Sequence, residues 1–258
     1  MTDLSNQVVV VTGAGTGIGQ ATALRFARAG ATVIANGRRL EKRQDTVRLA
    51  ERGRVVPIAA DAGTLDGARA VRDAACATGD YAILVNNAGV GYAHGIEHPG
   101  SMALLGETPP AMWREVMRIN LDSVYFLCHD ALAVFLARGS GSIVNVSSAG
   151  GLKGMANAHT YATGKAAMIN MTRSMAIAYG PKNIRCNVVA PGYVDTEMVA
   201  PVLGTEANPF LTEATRYQAA PLGRPGRPEE VASAIFYLAV EGTYCNGAVL
   251  VVDGGMLA

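Results

Sequence analysis

The stretch AHTYATGKAAM (158–168) places a tyrosine, Tyr161, four residues before a lysine, Lys165. Residues four apart lie on one face of a helix, so the two side chains would be neighbours. A free phenol has a pKa of about 10, and a nearby ammonium lowers that pKa by favouring the phenolate. Such a phenol can give a proton to a developing alkoxide and take it back. The same spacing also fits a surface tyrosine stacked on a lysine stem.

Two small hydroxyl residues precede this helix. The apolar run GSIVNVSS (141–148) ends in Ser147 and Ser148, and Ser148 lies thirteen residues before Tyr161. We predict that Ser148 points to the same place as Tyr161 and forms a hydrogen bond with a substrate carbonyl. The alternative is a serine that only shapes a turn.

A glycine-rich loop, TGAGTGIG (12–19), follows the first apolar run and opens a helical pattern. Gly13, Gly17 and Gly19 allow a tight turn and a close approach of the backbone to a ligand. The free N–H groups and the positive dipole end of the following helix attract phosphate oxygens. The spacing G-x-x-x-G-x-G is a weak motif by itself, and a plain turn between strand and helix is the alternative.

The end of the second apolar run bears on which nucleotide would bind. An acidic residue there would accept the ribose 2′-hydroxyl of NAD, but Gly37 stands in that place and Arg38 and Arg39 follow. A guanidinium can fork onto a 2′-phosphate, so we favour NADP(H), with NAD(H) possible. The alternative is an arginine pair that begins an exposed helix. Asp61, after the third run, is expected to cap a turn, to accept from the adenine amino group, or both.

Short apolar runs alternate with helical stretches through the whole chain, and the runs do not alternate polar with apolar residues. Such runs indicate strands buried on both faces, hence a parallel sheet covered by helices. The sequence therefore predicts one doubly wound α/β domain over residues 1–258, with ligands at the carboxyl ends of the strands. The runs lie at 7–13, 31–36, 54–61, 81–89, 141–148, 183–192 and 247–255.

The ordered set of these motifs resembles the short-chain dehydrogenase/reductase family over the whole chain. TGAGTGIG, NNAG (86–89), Ser148, YATGK (161–165) and PGYVDT (191–196) carry the resemblance. It implies a single Rossmann-type domain with a seven-stranded parallel sheet. It also implies hydride transfer between C4 of a nicotinamide and a substrate carbinol carbon, by an NADP(H)-favouring carbonyl reductase or alcohol dehydrogenase. The alternatives are an NAD-dependent alcohol dehydrogenase of this family, another enzyme class on this scaffold, or a non-catalytic nucleotide-binding protein.

The resemblance also implies roles for individual residues. Tyr161 resembles the general acid–base, and Lys165 resembles the residue that lowers its pKa and holds the nicotinamide ribose. Ser148 resembles the group that orients the substrate oxygen, and Asn120 resembles the helix asparagine that anchors a proton-relay water. Contacts to the cofactor are expected from Tyr161, Lys165, Gly13, Thr16, Gly17, Ile18, Gly19, Arg38, Arg39, Asp61, Ala62, Asn87, Ala88, Gly89, Pro191, Gly192, Val194 and Thr196.

Two segments are not explained by these motifs. The segment between NNAG and Asn120 is longer than the family usually has there, and the excess lies at residues 91–101. We predict that these residues form a loop at the mouth of the site. The string from His94 to His98 has the form H-x-x-E-H, but Gly95 within it and Pro99 after it favour a loop, so no metal site is predicted. Residues 193–223 are expected to form a substrate lid, and their apolar composition favours a largely apolar or alicyclic small-molecule substrate.

Composition narrows the partners. The net charge of +1 gives no bulk electrostatic case for nucleic acid or an anionic membrane. No apolar run approaches the roughly 20 residues of a membrane span. Four scattered cysteines are typical of a reduced protein, so a cytoplasmic enzyme is expected. The helices around Asn120 and after Tyr161 have more apolar residues than one stripe packed against the sheet would need, which indicates a second buried surface. The family usually uses these two helices for assembly, so a homotetramer is expected.

Overall fold

All seven apolar runs form strands of one parallel sheet in the computed structural model, which describes residues 3–37, 40–200 and 218–258. The order across the sheet is β3-β2-β1-β4-β5-β6-β7, so the predicted doubly wound fold is confirmed. The order reverses between β1 and β4, and ligands of such sheets bind in the crevice at that point. The strands are β1 (Gln7–Thr12), β2 (Thr32–Gly37), β3 (Arg54–Ala59), β4 (Asp80–Asn86), β5 (Gly141–Val146), β6 (Ile184–Pro191) and β7 (Val249–Val252).

Both faces of the central strands are buried, which explains why their sequences lack alternation. In β1, Val9 and Val11 belong to one apolar core, while Val8 and Val10 belong to the core on the other face. Successive side chains of a strand point to opposite faces, so every position of a doubly covered strand must be apolar.

Helices cover the two faces of the sheet. The first core includes residues of α1 and α8, and the second includes residues of α3, α6 and α7. The helices are α1 (Gly17–Arg28), α2 (Leu40–Leu49), α3 (Leu65–Thr78), α4 (Tyr92–Glu97), α5 (Pro110–Met117), α6 (Ser123–Arg138), α7 (His159–Tyr179) and α8 (Pro228–Phe236).

One long helix runs from Pro110 to Arg138, because a π-helical turn at Arg118–Asp122 joins α5 to α6. Among the described residues it is the single helix long and apolar enough to cross a membrane, with a mean hydropathy of 1.3. The sequence-based prediction concerned uninterrupted apolar runs, and Asp122, His129 and Asp130 interrupt the apolar residues of this helix. Half of the apolar window is buried inside the fold, and Leu127 and Phe135 lie in the second core. Core helices pass the same length test, so this finding is weak evidence for a span.

The predicted loop at 91–101 is also wrong in part, because residues Tyr92–Glu97 form the short helix α4. Gly95 lies inside it, and His98 ends it. The backbone N–H of Ala93 donates to the carbonyl of Met198 at 3.2 Å, so a contact from outside the segment supports the helix. Tertiary contacts of this kind override the local preference that glycine and proline express.

Candidate active site

The glycine loop lies between β1 and α1, where the predicted phosphate site should be. Gly13 and Gly17 have φ values of 65° and 52°, in the left-handed region that favours glycine. A Cβ on Gly19 would overlap the carbonyl oxygen of Gly13. Thr16 is the N-cap of α1, and within the described part of the chain no side chain caps that end. The first N–H groups of α1 are therefore available to an anion.

The end of β4 braces this loop. Asn87 donates from Nδ2 to the carbonyl of Thr12 at 3.0 Å. In return, the Thr12 hydroxyl accepts from the backbone N–H groups of Asn87 and Ala88, both at 3.0 Å. Two strand ends on either side of the switch point are thus tied together, which fixes the floor of the crevice.

A cavity of about 680 Å³ opens along the carboxyl edge of the sheet. Its size and position suit a dinucleotide. The predicted cofactor residues that line it are Gly13, Thr16, Gly17, Ile18, Asp61, Ala62, Asn87, Ala88, Gly89 and Thr196. Pro191 and Val194 are buried, as is Gly19. Arg38 and Arg39, on which the NADP(H) prediction rested, lie outside the described residues.

Arg43 is a residue of this cavity that the sequence analysis missed. It lies on α2 with its side chain fully buried, and its Nη1 donates to the carbonyl of Gly37 at the end of β2. Its Nε and Nη2 are buried without a hydrogen-bond partner in the part of the chain that the structure describes. Burial lowers the pKa of this guanidinium. An arginine with buried, unused donors beside a nucleotide cavity fits an anionic ligand group.

Asp61 has the first of its two predicted roles. Its Oδ1 accepts from the backbone N–H of Gly63 at 2.9 Å, so it does cap the turn after β3. Its Oδ2 also accepts from Arg118 at 2.9 Å, which ties the turn to the π-helical segment. Recognition of the adenine amino group by Asp61 stays a prediction.

Tyr161 and Lys165 lie one turn apart on α7, as predicted. The ammonium of Lys165 lies 5.8 Å from the centre of the Tyr161 ring and donates to the carbonyl of Val146 at 2.8 Å. Burial lowers the pKa of Lys165 to about 8. Burial raises the pKa of Tyr161, and a hydrogen bond with Ser148 partly offsets that rise. Burial is the largest cause of this shift, and the lowering of the phenol pKa by Lys165 stays a prediction.

The two serines after β5 have different tasks. Ser148 is half-buried, bonds to Tyr161, and accepts from the backbone N–H of Gly150 at 3.0 Å. Ser147 is buried and donates to the carbonyl of Lys165 at 2.8 Å. Ser148 therefore lies beside Tyr161, whereas Ser147 fixes α7 against the sheet.

Asn120 is fully buried in the π-helical turn and clamps the segment after β4. Its Oδ1 accepts from the N–H of Val90 at 2.7 Å, and its Nδ2 donates to the Val90 carbonyl at 2.9 Å. A Cβ on Gly89 would lie 3.1 Å from Asn120 Oδ1 and 3.4 Å from Lys165 Nζ. The structure thus brings Asn120 and Lys165 together around Gly89. Anchoring of a water by Asn120 stays a prediction.

A second, smaller pocket of about 80 Å³ adjoins the nucleotide cavity. Gly91 and Met198 line both of them, so the two cavities meet there. Ser148 and Tyr161 border the smaller pocket, and its remaining described walls are mostly apolar. Those walls include Tyr92, Met102, Ala149, Met155, Ala158, Tyr193, Val199 and Met256, together with Gly192 and Lys153.

Part of the predicted lid borders this pocket. Met198 and Val199 line it, while residues 201–217 lie outside the described residues, so the role of 193–223 as a lid stays a prediction. Tyr92 was not predicted as a site residue. Burial raises its pKa to about 12, and its hydroxyl shares a hydrogen bond with Tyr193.

Buried amides hold the elements beneath the site in register. Asn86 donates to Asn145 Oδ1 at 2.8 Å, and Asn145 donates to the hydroxyl of Thr172 at 2.8 Å. This chain of bonds crosses from β4 through β5 to α7, so it fixes the helix that carries Tyr161. Sequence reasoning found none of these three, because asparagine in an apolar run gives no indication of its partner.

Comparisons with known proteins agree with this geometry. A family model described as enoyl-(acyl carrier protein) reductase matches residues 13–257. The chain is 42% identical, over 98% of both chains, to cis-4-hydroxycyclohexanecarboxylate dehydrogenase of Sinomonas cyclohexanicum. It also resembles a solved short-chain type dehydrogenase/reductase of Mycobacterium marinum, at 30% identity and a TM-score of 0.88, covering 99% of this chain and 97% of that one.

A further solved relative contains a cofactor. It is a protein of Beutenbergia cavernae described as an NAD(P)-dependent gluconate 5-dehydrogenase, with NADP bound at low occupancy. It is 34% identical, has a TM-score of 0.84, and covers 99% of this chain and 98% of its own. With a dinucleotide cavity that meets a serine–tyrosine–lysine group, this chain belongs to the short-chain dehydrogenase/reductase family and is an oxidoreductase that acts on CH–OH groups with a nicotinamide cofactor.

Proposed function

We propose that this protein interconverts a secondary alcohol on an apolar, alicyclic skeleton and the corresponding ketone, with NADP(H) as the preferred cofactor. The observation that carries the proposal is the junction of the two cavities at Gly91 and Met198, next to Ser148 and Tyr161. The nicotinamide, when bound, supplies or accepts the hydride.

The residues at the junction would manage the proton. Ser148 and Tyr161 share a hydrogen bond, so both hydroxyls can bind the substrate oxygen at once. In reduction, Tyr161 donates its proton to that oxygen, and in oxidation the phenolate takes it back. Lys165, with a pKa of about 8, is mostly protonated at neutral pH and stabilises the phenolate when its ammonium leaves the Val146 carbonyl.

Arg43 supports the preference for NADP(H). Its unused Nε and Nη2 donors lie where β2 ends, next to Gly37, and the cavity that they border is the one lined by the glycine loop. At this place an acidic residue would select the ribose 2′-hydroxyl, whereas a guanidinium accommodates a 2′-phosphate. A relative solved with NADP bound agrees with this preference.

The cofactor preference is tested by calorimetric titration with NADPH and NADH separately. We expect tighter binding of NADPH, and we expect Arg43→Met to weaken NADPH binding by roughly 10- to 100-fold, the value of a charge-assisted hydrogen-bond pair. NADH affinity should change little, because it has no phosphate at that position. Arg48→Met is the matched control, since Arg48 lies on the same helix but is exposed and paired with Asp45.

An equal loss for both nucleotides would mean that Arg43 supports α2 and reads no phosphate. Preference of the wild-type protein for NADH would contradict the NADP(H) proposal altogether, and binding of neither would contradict the enzymatic proposal. Arg38→Met, measured in the same series, tests the original sequence-based prediction for that arginine.

The substrate pocket suits a ring that carries one anionic group. Lys153 is the only fully charged side chain among its described lining residues, and it is exposed. The rest of the lining favours hydrocarbon, in particular the side chains of Met102, Met155 and Met198. The relative from Sinomonas cyclohexanicum acts on a hydroxycyclohexane that bears a carboxylate. We therefore propose an alicyclic hydroxy acid, with its carboxylate next to Lys153.

Lys153→Met should separate charged from neutral substrates. We expect kcat/KM for cis-4-hydroxycyclohexanecarboxylate to fall about fivefold, the usual limit for a partly exposed ion pair, while kcat/KM for cyclohexanol stays unchanged. Steady-state kinetics at low ionic strength measures both. Lys182→Met, at an exposed lysine outside the pocket lining, is the control. Equal effects on both substrates would remove Lys153 from substrate recognition.

We also propose that the protein works as a homotetramer in a reducing compartment such as the cytoplasm. Tyr125 and Leu136 on α6 and Ile177 on α7 are large apolar side chains with exposed surfaces, and such faces are covered in assemblies. Cys128 and Cys186 are buried free thiols, which suits a compartment without disulfide formation. Light scattering after size-exclusion chromatography measures the assembly.

A further inference from the structure

The inserted segment 91–101 brings two histidines to one place. His94 lies in α4, and His98 ends that helix four residues later. Their rings are stacked with centroids 3.9 Å apart and planes 20° from parallel. Two histidines at positions i and i+4 of a helix are a common way of presenting two nitrogen ligands to one metal ion.

A carboxylate from a different helix faces the same two rings. Glu115 lies on α5, with its Oε1 3.6 Å from His94 Nε2 and its Oε2 3.7 Å from His98 Nδ1. One ligand atom from each of the three residues can be chosen so that all lie within 4.8 Å of one another. The two elements that supply them, α4 and α5, are twelve residues apart in sequence, from Glu97 to Pro110. The cluster is therefore a product of the fold.

The chemistry of the set matches zinc. Two imidazoles and one glutamate, with an open fourth position for water, are a known zinc ligand set. Ligand atoms around a tetrahedral zinc, at 2.0–2.1 Å from the ion, are about 3.3–3.5 Å apart. The nitrogen–oxygen separations of 3.6 and 3.7 Å exceed a hydrogen bond yet lie close to that spacing. Glu97, the acid of the H-x-x-E-H string, lines the nucleotide cavity, and the carboxylate that faces the two rings is that of Glu115.

Closing the site requires a small movement of one residue. The His94 side chain is buried at 7% exposure, whereas that of His98 is 37% exposed. Parallel stacked rings do not aim their lone pairs at one point, so one ring must turn. His98 has the free space to rotate out of the stack, while His94 and Glu115 stay in place.

We propose that His94, His98 and Glu115 bind one zinc ion that pins α4 to α5, contrary to the sequence-based expectation of no metal. None of the three ligands borders the substrate pocket, so the ion would not contact the substrate, although His94 lines the nucleotide cavity. Its effect reaches that pocket through α4, because Gly91 and Tyr92 belong to both the inserted segment and the pocket wall. Binding of the ion fixes that wall.

Calorimetric titration of the untagged, chelator-treated full chain with zinc chloride tests the proposal. We expect one zinc per chain with a dissociation constant in the micromolar range or below, and a rise in thermal midpoint on binding. His98→Gln and Glu115→Gln should each weaken zinc binding at least tenfold and abolish that rise. Both positions are partly exposed, so these variants are chosen over a change at the buried His94. Cobalt(II) should give the absorption bands of a tetrahedral site in the wild-type chain and not in these two variants.

His129→Gln is the matched control, because His129 is an exposed histidine that lies 3.1 Å from Asp130 and away from the cluster. It should bind zinc as the wild-type chain does. Stoichiometric zinc binding that persists in His98→Gln and Glu115→Gln would overturn the proposal, since the ion would then lie elsewhere. Absence of binding in the wild-type chain would also overturn it.

Discussion

Tyr161→Phe is expected to lower kcat by about 10³-fold, because it removes the phenol that exchanges a proton with the substrate oxygen. The phenol bonds to Ser148 at the junction of the two cavities, and the phenylalanine ring fills the same space. NADPH affinity should stay within about twofold, since no donor of the nucleotide cavity is removed. Steady-state turnover of a cyclic ketone and calorimetric titration with NADPH give the two readouts.

Two further variants make this result specific. Tyr125→Phe, on the exposed face of α6, should leave turnover unchanged. Ser148→Ala should lower turnover while NADPH binding is retained, because the substrate oxygen loses its second hydroxyl partner. Undiminished turnover in Tyr161→Phe would disprove the assignment of the acid–base, and a large loss of NADPH affinity would show that the tyrosine mainly supports the cofactor.

Lys165→Met should abolish most turnover and yet make the cofactor-free protein more stable at pH 7. The folded state lowers the pKa of Lys165 from 10.5 to about 8, so burying the ammonium costs on the order of 3 kcal/mol at neutral pH. Loss of the hydrogen bond to Val146 offsets about 1 kcal/mol of this increase in the free energy of unfolding. Unfolding in urea without cofactor measures the difference.

The pH dependence of stability shows whether the buried charge of Lys165 causes the difference between the variant and the wild-type chain. Between pH 8 and 10.5 the unfolded chain holds the Lys165 proton and the folded chain does not, so the wild-type protein gains stability as pH rises. Methionine does not titrate, so the advantage of Lys165→Met should shrink through this window. Lys182→Met, at an exposed position, should show no such change. If Lys165→Met were more stable than the wild-type chain by the same amount at every pH, the cause would be better packing of methionine and not removal of the lysine charge.

The sequence predicted the residues that follow strands far better than those on helices or insertions. Asn87, Asp61 and Ser148 were found because the carboxyl ends of parallel strands must meet at one edge. Arg43 was missed because the inward face of α2 is polar, with Arg43 and Thr46 buried against the glycine loop. A helix without an apolar stripe is usually interpreted as solvent-exposed. The missing stripe could instead have indicated that the inward face of α2 packs on a polar loop.

The inserted segment was misread for a different reason. Gly95 and Pro99 lower the helical preference of 91–101, but the helix α4 gains a backbone bond to Met198 and contacts to Glu115. Glu115 lies about 20 residues and Met198 about 100 residues further along the chain, so the local sequence gives no indication of either contact. The same limit applies to the amide chain from Asn86 to Thr172, whose members belong to three elements.

The π-helical turn at Arg118–Asp122 makes this region sensitive to changes in length as well as to loss of the Asn120 side chain. Each residue of a helix turns the chain by about 100°, so one residue more or less rotates everything beyond it to another face. Removing one residue from the turn would rotate α6 relative to α5 by about that angle, although the sequence of α6 itself would be unchanged. Asn120 would then point away from Val90, and the clamp on Gly89 would open. Homologous chains that keep this activity should therefore keep Asn120 and tolerate no single-residue deletion in this turn.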